Sequence, residues 1–371
     1  MKLYLHIGTE KTGTTSIQHF LQANRDVLRK SNILYPVAPG DQNHIGLAIA
    51  AQNERKSNSL RWIRELHTEE DVRQFREELV RNLAGEVRAL PYTTAIISSE
   101  HCSSRLRSKE EVRWLRETLA KFFDPIFVVV YVRRQDDFLV SNYSTAIKGG
   151  GKKPLLPPDM PDALRHYDHW DLLRRWANVF GRERMICRKF ERSSLKDEDI
   201  IADFLAIVGI ADALPFERPP PSNESLDAQT LEFLRLLNQH VPRFIDRKIN
   251  RAHTPLGPLL SQISEGPLLT LPEAELDRFM QLFQESNRKV AEEYFGGALP
   301  GPGDPLFGTR SDGRARVSDA GLTVDRAIEI TAWLWNQKHA EVSKLKERVR
   351  KQKAKMQSRS RSNEDSPEGE A

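Results

Sequence analysis

The 371 residues include only two cysteines, Cys102 and Cys187, and neither sits in a metal-like cluster. They supply no disulfide framework, which fits a reducing compartment or a chain indifferent to redox state. No stretch approaches the roughly 18 apolar residues of a membrane span. Met1-Lys2 runs directly into an apolar segment with no room for a secretory leader, so the expected location is cytoplasmic. The formal net charge of +4 is too small by itself to argue for a nucleic-acid binder, and no internal repeat is visible. With 39% hydrophobic and 29% charged residues, this reads as a globular chain able to bury a sizeable core in one large or two modest domains.

Strand and helix patterns alternate through the first half. Leu3-Tyr4-Leu5-His6-Ile7 is a short apolar run ending at Gly8. Ile17, Phe20, Leu21, Val27 and Leu28 then recur at helical spacing from Thr14. An amphipathic helix is expected over 71–90, a strand over 94–97 and a charged helix over 109–123. The strongest strand is 126–132; its unbroken Ile, Val and aromatic content predicts burial on both faces, as at the centre of a parallel sheet. A helix over 136–147 leads to Gly149-Gly150-Gly151, read as a linker. Beyond it helices are expected over 168–180, 197–208, 226–239 and 273–295, with a strand at 185–187 and a break at Pro219-Pro220-Pro221. This alternation predicts an α/β fold: an open, mainly parallel sheet flanked by helices, with extra C-terminal helices. The expected division is an α/β core over 1–209, a mainly helical part over 210–337 and a tail over 338–371. Between Lys338 and Arg361 that tail carries ten Lys or Arg and two Glu, and it ends in an acidic stretch. A helix around 328–349 is expected to fray into a disordered terminus. The basic segment is either a solvated helix or a peripheral contact for an anionic surface.

Three segments carry chemistry. Gly8-Thr9-Glu10-Lys11-Thr12-Gly13-Thr14-Thr15-Ser16 follows a strand and opens a helix, where backbone N–H groups and the helix dipole favour an anion. Thr14, Thr15 and Ser16 add hydroxyl donors. Gly8 and Gly13 are five apart, as in a nucleotide-binding P-loop, yet Thr14-Thr15 stand where an ATPase carries Lys then Ser or Thr. The lysine lies inside the loop instead, at Lys11, within reach of the atom bridging two groups of a bound anion. In the second segment, strand 126–132 ends in Arg133-Arg134, and Ser141 follows Arg133 by eight residues. A guanidinium with a hydroxyl at a strand's carboxyl end suits a phosphate dianion; Arg133 is preferred, and Arg134 is expected to face solvent. The third segment, Ser98-Ser99-Glu100-His101, leaves strand 94–97 at the same sheet edge, where open α/β sheets bind ligands. His44 is expected to be an exposed loop histidine. Trp170, Trp176, Trp333 and Trp335 read as core or helix-packing residues, and Gly313-Arg314-Ala315-Arg316 as a basic loop outside the site.

Lys11-Thr12-Gly13-Thr14-Thr15 resembles the 5′-phosphosulfate-binding motif of sulfotransferases that use PAPS (3′-phosphoadenosine-5′-phosphosulfate), especially the carbohydrate-type enzymes and their bacterial relatives. Arg133 and Ser141, followed by Asn142-Tyr143, resemble the 3′-phosphate-binding motif of the same family. The resemblance covers residues 1 to about 209 and the later helices only loosely. It implies that Lys11 meets the donor's bridging oxygen while loop residues Thr12 to Ser16 grip the 5′-phosphate, and that no metal is required. Glycan-modifying members often use a glutamate as base, which Glu100 matches; the small-molecule branch uses a histidine, which makes His101 the alternative. The implied activity is transfer of a sulfo group from PAPS to a hydroxyl or amine, on a glycan or glycoconjugate acceptor, with 3′-phosphoadenosine 5′-phosphate as product and no nucleic-acid partner. Two rival readings stay open: a P-loop kinase or NTPase, and a non-catalytic anion-binding scaffold.

Overall fold

The computed structural model describes residues 1–210, 214–218, 225–246, 248–251, 253, 255–297, 299, 303–308 and 315–364, with side chains through residue 353. Five strands, β1 (Lys2–His6), β2 (Ile33–Leu34), β3 (Thr94–Ser98), β4 (Ile126–Val132) and β5 (Met185–Lys189), form one sheet in the order β2-β3-β1-β4-β5. Every neighbouring pair is parallel. Helices α1 (Thr14–Ala23) and α2 (Arg25–Lys30) lead from β1 to β2. Then α3 (Ile45–Ala51), α4 (Ser59–Ile63) and α5 (Glu69–Arg88) lead to β3, and α6 (His101–Arg105) and α7 (Lys109–Leu119) to β4. Between β4 and β5 lie α8 (Gln135–Lys148), α9 (Pro161–Leu164) and α10 (His169–Phe180), and α11 (Ile200–Val208) follows β5. The rest is mainly helical: α12 (Ala228–His240), α13 (Gly257–Leu260), α14 (Glu273–Gln281), α15 (Gln284–Tyr294) and α16 (Val324–Glu364). Two small pairings, β6 (Phe244–Ile245) with β7 (Lys248–Ile249) and β8 (Leu268–Leu269) with β9 (Arg316–Val317), complete it. The parallel α/β sheet with added C-terminal helices is as expected.

Strand side chains alternate between two cores, because successive Cβ atoms point to opposite faces. Leu3, Leu5, Ala95, Ile97, Val128 and Val130 pack with residues of α3, α5, α7 and α10 on one face. Tyr4, Ile96, Val129 and Tyr131 pack with α1 and α11 on the other. Burial on both faces is why β4 reads as a continuous apolar run. The later helices dock on α8: Ile147 joins Leu231, Leu234 and Leu260, while Phe138 and Leu139 join Phe279 and Phe283.

Several expected boundaries shift. The helical pattern from Thr14 to Leu28 splits at Asn24, whose side-chain amide donates to the Phe20 and Glu217 carbonyls. The single helix expected over 273–295 is broken between α14 and α15. Gly149-Gly150-Gly151 is the closed end of α8 rather than a linker, for the N–H groups of all three bond back to carbonyls of Thr145, Ile147 and Ala146. Arg243 packs against Gly150, whose φ of +96° suits a residue without Cβ. Instead of fraying near 349, α16 continues to Glu364. Trp176 is fully buried, but Trp335 is 73% exposed on α16 and belongs to no core. Pro219-Pro220-Pro221, Gly313-Arg314 and the acidic end over 365–371 lie outside the described residues. Both cysteines are buried free thiols, and burial pushes their pKa values up. Among the described residues no helix is long and apolar enough to cross a membrane.

His44 is not an exposed loop residue. It is fully buried ahead of α3, its Nδ1 accepting from the Ser98 N–H and its Nε2 donating to the Pro36 carbonyl. This pattern requires the neutral ring, and burial lowers its pKa to about 3. His6, also fully buried, shares a hydrogen bond with the Ser98 hydroxyl, and burial lowers it to about 3 as well. Both rings protonate near pH 6.5 once unfolded. Their contribution to stability is therefore complete above about pH 6.5 and is lost as pH falls towards 3, by up to about 1.4 kcal/mol per pH unit for each ring. The urea midpoint should drop steadily from pH 7 to pH 5; a flat profile would contradict the neutral buried rings.

Candidate active site

The sheet order sets β1 between β3 and β4, so the segments leaving all three strands emerge side by side. His6 pairs with Ser98 of β3 and with Val129 of β4. The loop after β1 is anchored to β4, with the Tyr131 N–H donating to the Gly8 carbonyl and the Thr9 N–H and hydroxyl donating to the Tyr131 carbonyl. Inside the loop the Thr12 hydroxyl donates to the Thr9 carbonyl at 2.7 Å, so this buried side chain braces the loop from within. Lys11 takes a positive φ of 66°. Gly13, with φ 74°, begins α1 without a side-chain cap. A Cβ there would meet Ile200 at 3.0 Å and Phe190 at 3.2 Å. The Ile17 N–H bonds to the Gly13 carbonyl, which leaves Thr14, Thr15 and Ser16 as the first-turn amides that precede a helix ladder. Thr14 is buried, Ser16 half-buried and Thr15 exposed.

Arg133 turns towards this loop: its Nη1 donates to the Lys11 carbonyl at 3.0 Å, and its guanidinium lies 5.8 Å from the centre of the Phe190 ring. His169 Nε2 donates to the Arg133 carbonyl at 2.7 Å, holding the strand end from α10. The contacts that bring Arg133 to the loop do not include Ser141, which is half-buried in the second turn of α8. Arg134 does not face solvent as expected. Its side chain is 14% exposed, paired with Asp136 and donating to the Gly308 carbonyl. Arg316 reaches Asp137 at 3.0 Å, tying β9 to the start of α8.

Glu100 lies against the loop on its other side. A Cβ on Gly8 would fall 2.9 Å from the Glu100 Cβ, and Gly8 has φ 94°, so only glycine allows this approach. Glu100 sits at the N-cap position of α6 without capping it. Its carboxylate accepts instead from Gln18 Nε2 at 2.8 Å and from Asn43 Nδ2 at 2.9 and 3.0 Å, and is 16% exposed. His101 Nε2 is 3.8 Å from Glu100 Oε1. The loop's own carboxylate, Glu10, is 3.6 Å from His166 Nε2.

Gln18 and Asn43 were missed in the sequence. Gln18 interrupts the buried apolar stripe of α1 between Ile17 and Phe20, and a polar residue there was the available signal. Asn43 belongs to a loop far away in the chain, with nothing to mark its partner. Among the described residues no group of three or more His, Cys, Asp or Glu is gathered as metal ligands would be.

No family model matches the chain. Over 176 residues it is 28% identical to an uncharacterized protein of Archaeoglobus fulgidus, a match covering 46% of either chain, so the chain spans about half of that relative's length. Among solved structures it is similar to a sulfotransferase from Alicyclobacillus acidocaldarius, with 60% of this chain and 87% of that one covered, 13% identity and a TM-score of 0.37.

Proposed function

We propose that this chain is a sulfotransferase that moves the sulfo group of PAPS to a hydroxyl or amine acceptor. The observation that carries the reading is the convergence on one loop: Arg133 from the end of β4 bonds to the Lys11 carbonyl, while Glu100 from the end of β3 packs on Gly8. A sulfo donor with two phosphate groups calls for two anion-binding elements and a proton acceptor between them. The residues present suit it: uncapped first-turn amides at Thr14 to Ser16, a guanidinium beside the loop, and a carboxylate held by two neutral amides.

In this mechanism the loop amides and the Thr14, Thr15 and Ser16 hydroxyls hold the 5′-phosphate, and Arg133 with Ser141 holds the 3′-phosphate. The Thr12 hydroxyl, committed to Thr9, preserves loop shape. The acceptor oxygen or nitrogen forms its bond to sulfur as the bond from sulfur to the bridging phosphate oxygen breaks. Lys11 stabilises charge growing on that oxygen, and the acceptor's proton passes to Glu100. Gln18 and Asn43 orient the Glu100 carboxylate by hydrogen bonds. Fixed donors aimed at the leaving oxygen supply electrostatic stabilisation without reorganisation. In this reading 1–209 binds the donor, 210–337 shapes the acceptor side, and 338–371 is the basic tail.

Three outcomes follow. Lys11→Ala should cut transfer from radiolabelled PAPS by at least about 10²-fold with an unchanged circular dichroism spectrum; near wild-type turnover would overturn the assignment. Glu100→Gln, similar in shape, should lower kcat by about 10²- to 10⁴-fold while the affinity for the product nucleotide stays within twofold, a split that steady-state and calorimetric measurements resolve. Calorimetry on the wild-type chain should give binding of 3′-phosphoadenosine 5′-phosphate that is indifferent to Mg²⁺. Binding of Mg·ATP in its place would favour a kinase or NTPase, and no nucleotide binding would favour a scaffold.

A further inference from the structure

Two adjoining cavities that share Arg107, Arg165 and Arg175 form a cleft along the face that carries α6, α7 and α10. Its narrow inner end, about 20 Å³, is lined by Thr9 of the loop, Ser103 and Ser104 of α6, and His166. It widens outward to about 320 Å³ beside Lys109, Arg174 and Asn178. Arg107, Arg165 and Arg175 line both parts. The inner end borders the loop of the proposed site at Thr9, the residue after Gly8, and the start of α6, where the Ser103 hydroxyl donates to the main-chain carbonyl of Glu100 at 2.8 Å.

Among the described residues, the three arginines of this cleft share two carboxylates. Arg165 and Arg175 share one carboxylate, Asp171. Arg107 reaches Asp162, whose side chain is 83% exposed and points into water rather than lining the cleft. Arg175 is the most informative. Its side chain is only 8% exposed, and its Nε is buried without a hydrogen-bond partner among the described residues. Burial pushes its pKa down, and the nearby Arg165 and Arg107 act in the same direction against the pull of Asp171. Three guanidinium groups around one cavity favour an oxyanion there through charge-assisted hydrogen bonds.

Resting on the sulfotransferase reading, we propose that this arginine cleft is the acceptor site and that it selects acceptors already bearing an oxyanion, a carboxylate or a sulfate or phosphate ester. The inner end admits a hydroxyl- or amine-sized group beside Thr9 of the loop. The wider part takes the body of the acceptor, with its oxyanion against Arg165, Arg175 and Arg107. Planar guanidinium groups suit the paired oxygens of all three anions. The cleft also concentrates such molecules from solution, because its lining holds more cations than carboxylates, the latter being Asp171 and Glu110.

The test uses the full-length chain and four disaccharides identical except for one substituent: neutral, carboxylate, sulfate ester and phosphate ester. Calorimetric titrations are run with and without saturating 3′-phosphoadenosine 5′-phosphate. At least one anionic disaccharide should bind tenfold or more tightly than the neutral one, and the ranking among the three identifies which oxyanion the site takes. Arg165→Ala, at a partly exposed position, should remove that preference while leaving nucleotide affinity unchanged. Arg175→Lys, which keeps the charge and deletes the planar guanidinium fork, should weaken the anionic ligand and not the neutral one. Equal binding of all four, or a preference that survives Arg165→Ala, overturns the proposal. Failure of the nucleotide to bind overturns the donor reading instead, and the disaccharide preference measured without nucleotide then still decides whether the cleft is an anion site.

Discussion

Parallel pairing of β1 with β3 on one side and β4 on the other is the constraint on which the rest of the structure depends. Parallel strands present all their carboxyl ends at one edge, so three segments far apart in the chain leave the sheet side by side, about 5 Å from one strand to the next. Lys11, Glu100 and Arg133 inherit their proximity from this backbone ladder. The two cores on opposite faces, filled by alternate residues of the same strands, hold the ladder in register.

The polar groups at this edge are arranged so that backbone and neutral side chains do most of the holding. Thr9 and Gly8 exchange hydrogen bonds with Tyr131, Thr12 bonds within the loop, and His44 and His6 both engage Ser98. Glu100 is oriented by two side-chain amides. Three arginines, Arg107, Arg165 and Arg175, cluster beside the loop, with Asp162 and Asp171 as their carboxylate partners among the described residues. The carboxylate and the arginines thus occupy different places along the edge.

Elements dominated by local pattern were legible. β4 stands at the residues its β-branched run indicated, and α7 and α10 start within a residue of their expected positions behind the capping side chains of Ser108 and Asp168. Where distant contacts overrode local pattern, the reading failed. Asn24 breaks a continuous helical periodicity because its amide bonds to Glu217, almost 200 residues away. Arg134 looked like a solvated cation until Gly308 supplied a carbonyl, and His44 like a loop residue until Ser98 and Pro36 enclosed it. Trp335 errs in the opposite sense, since helical context predicts packing but nothing among the described residues covers that face of α16.

By itself the sequence determined the order of strands and helices, the glycine loop with its internal lysine, and the presence of Arg133, Ser141 and Glu100 near strand ends, because each is encoded within about ten neighbouring residues. Only the tertiary structure decided that β1 lies between β3 and β4, that Arg133 turns onto the Lys11 carbonyl, that Gln18 and Asn43 hold Glu100, and that three arginines from separate segments line one cleft. Those outcomes depend on pairing and burial across a hundred residues or more, and no local spacing records which distant group satisfies a given hydrogen bond or charge.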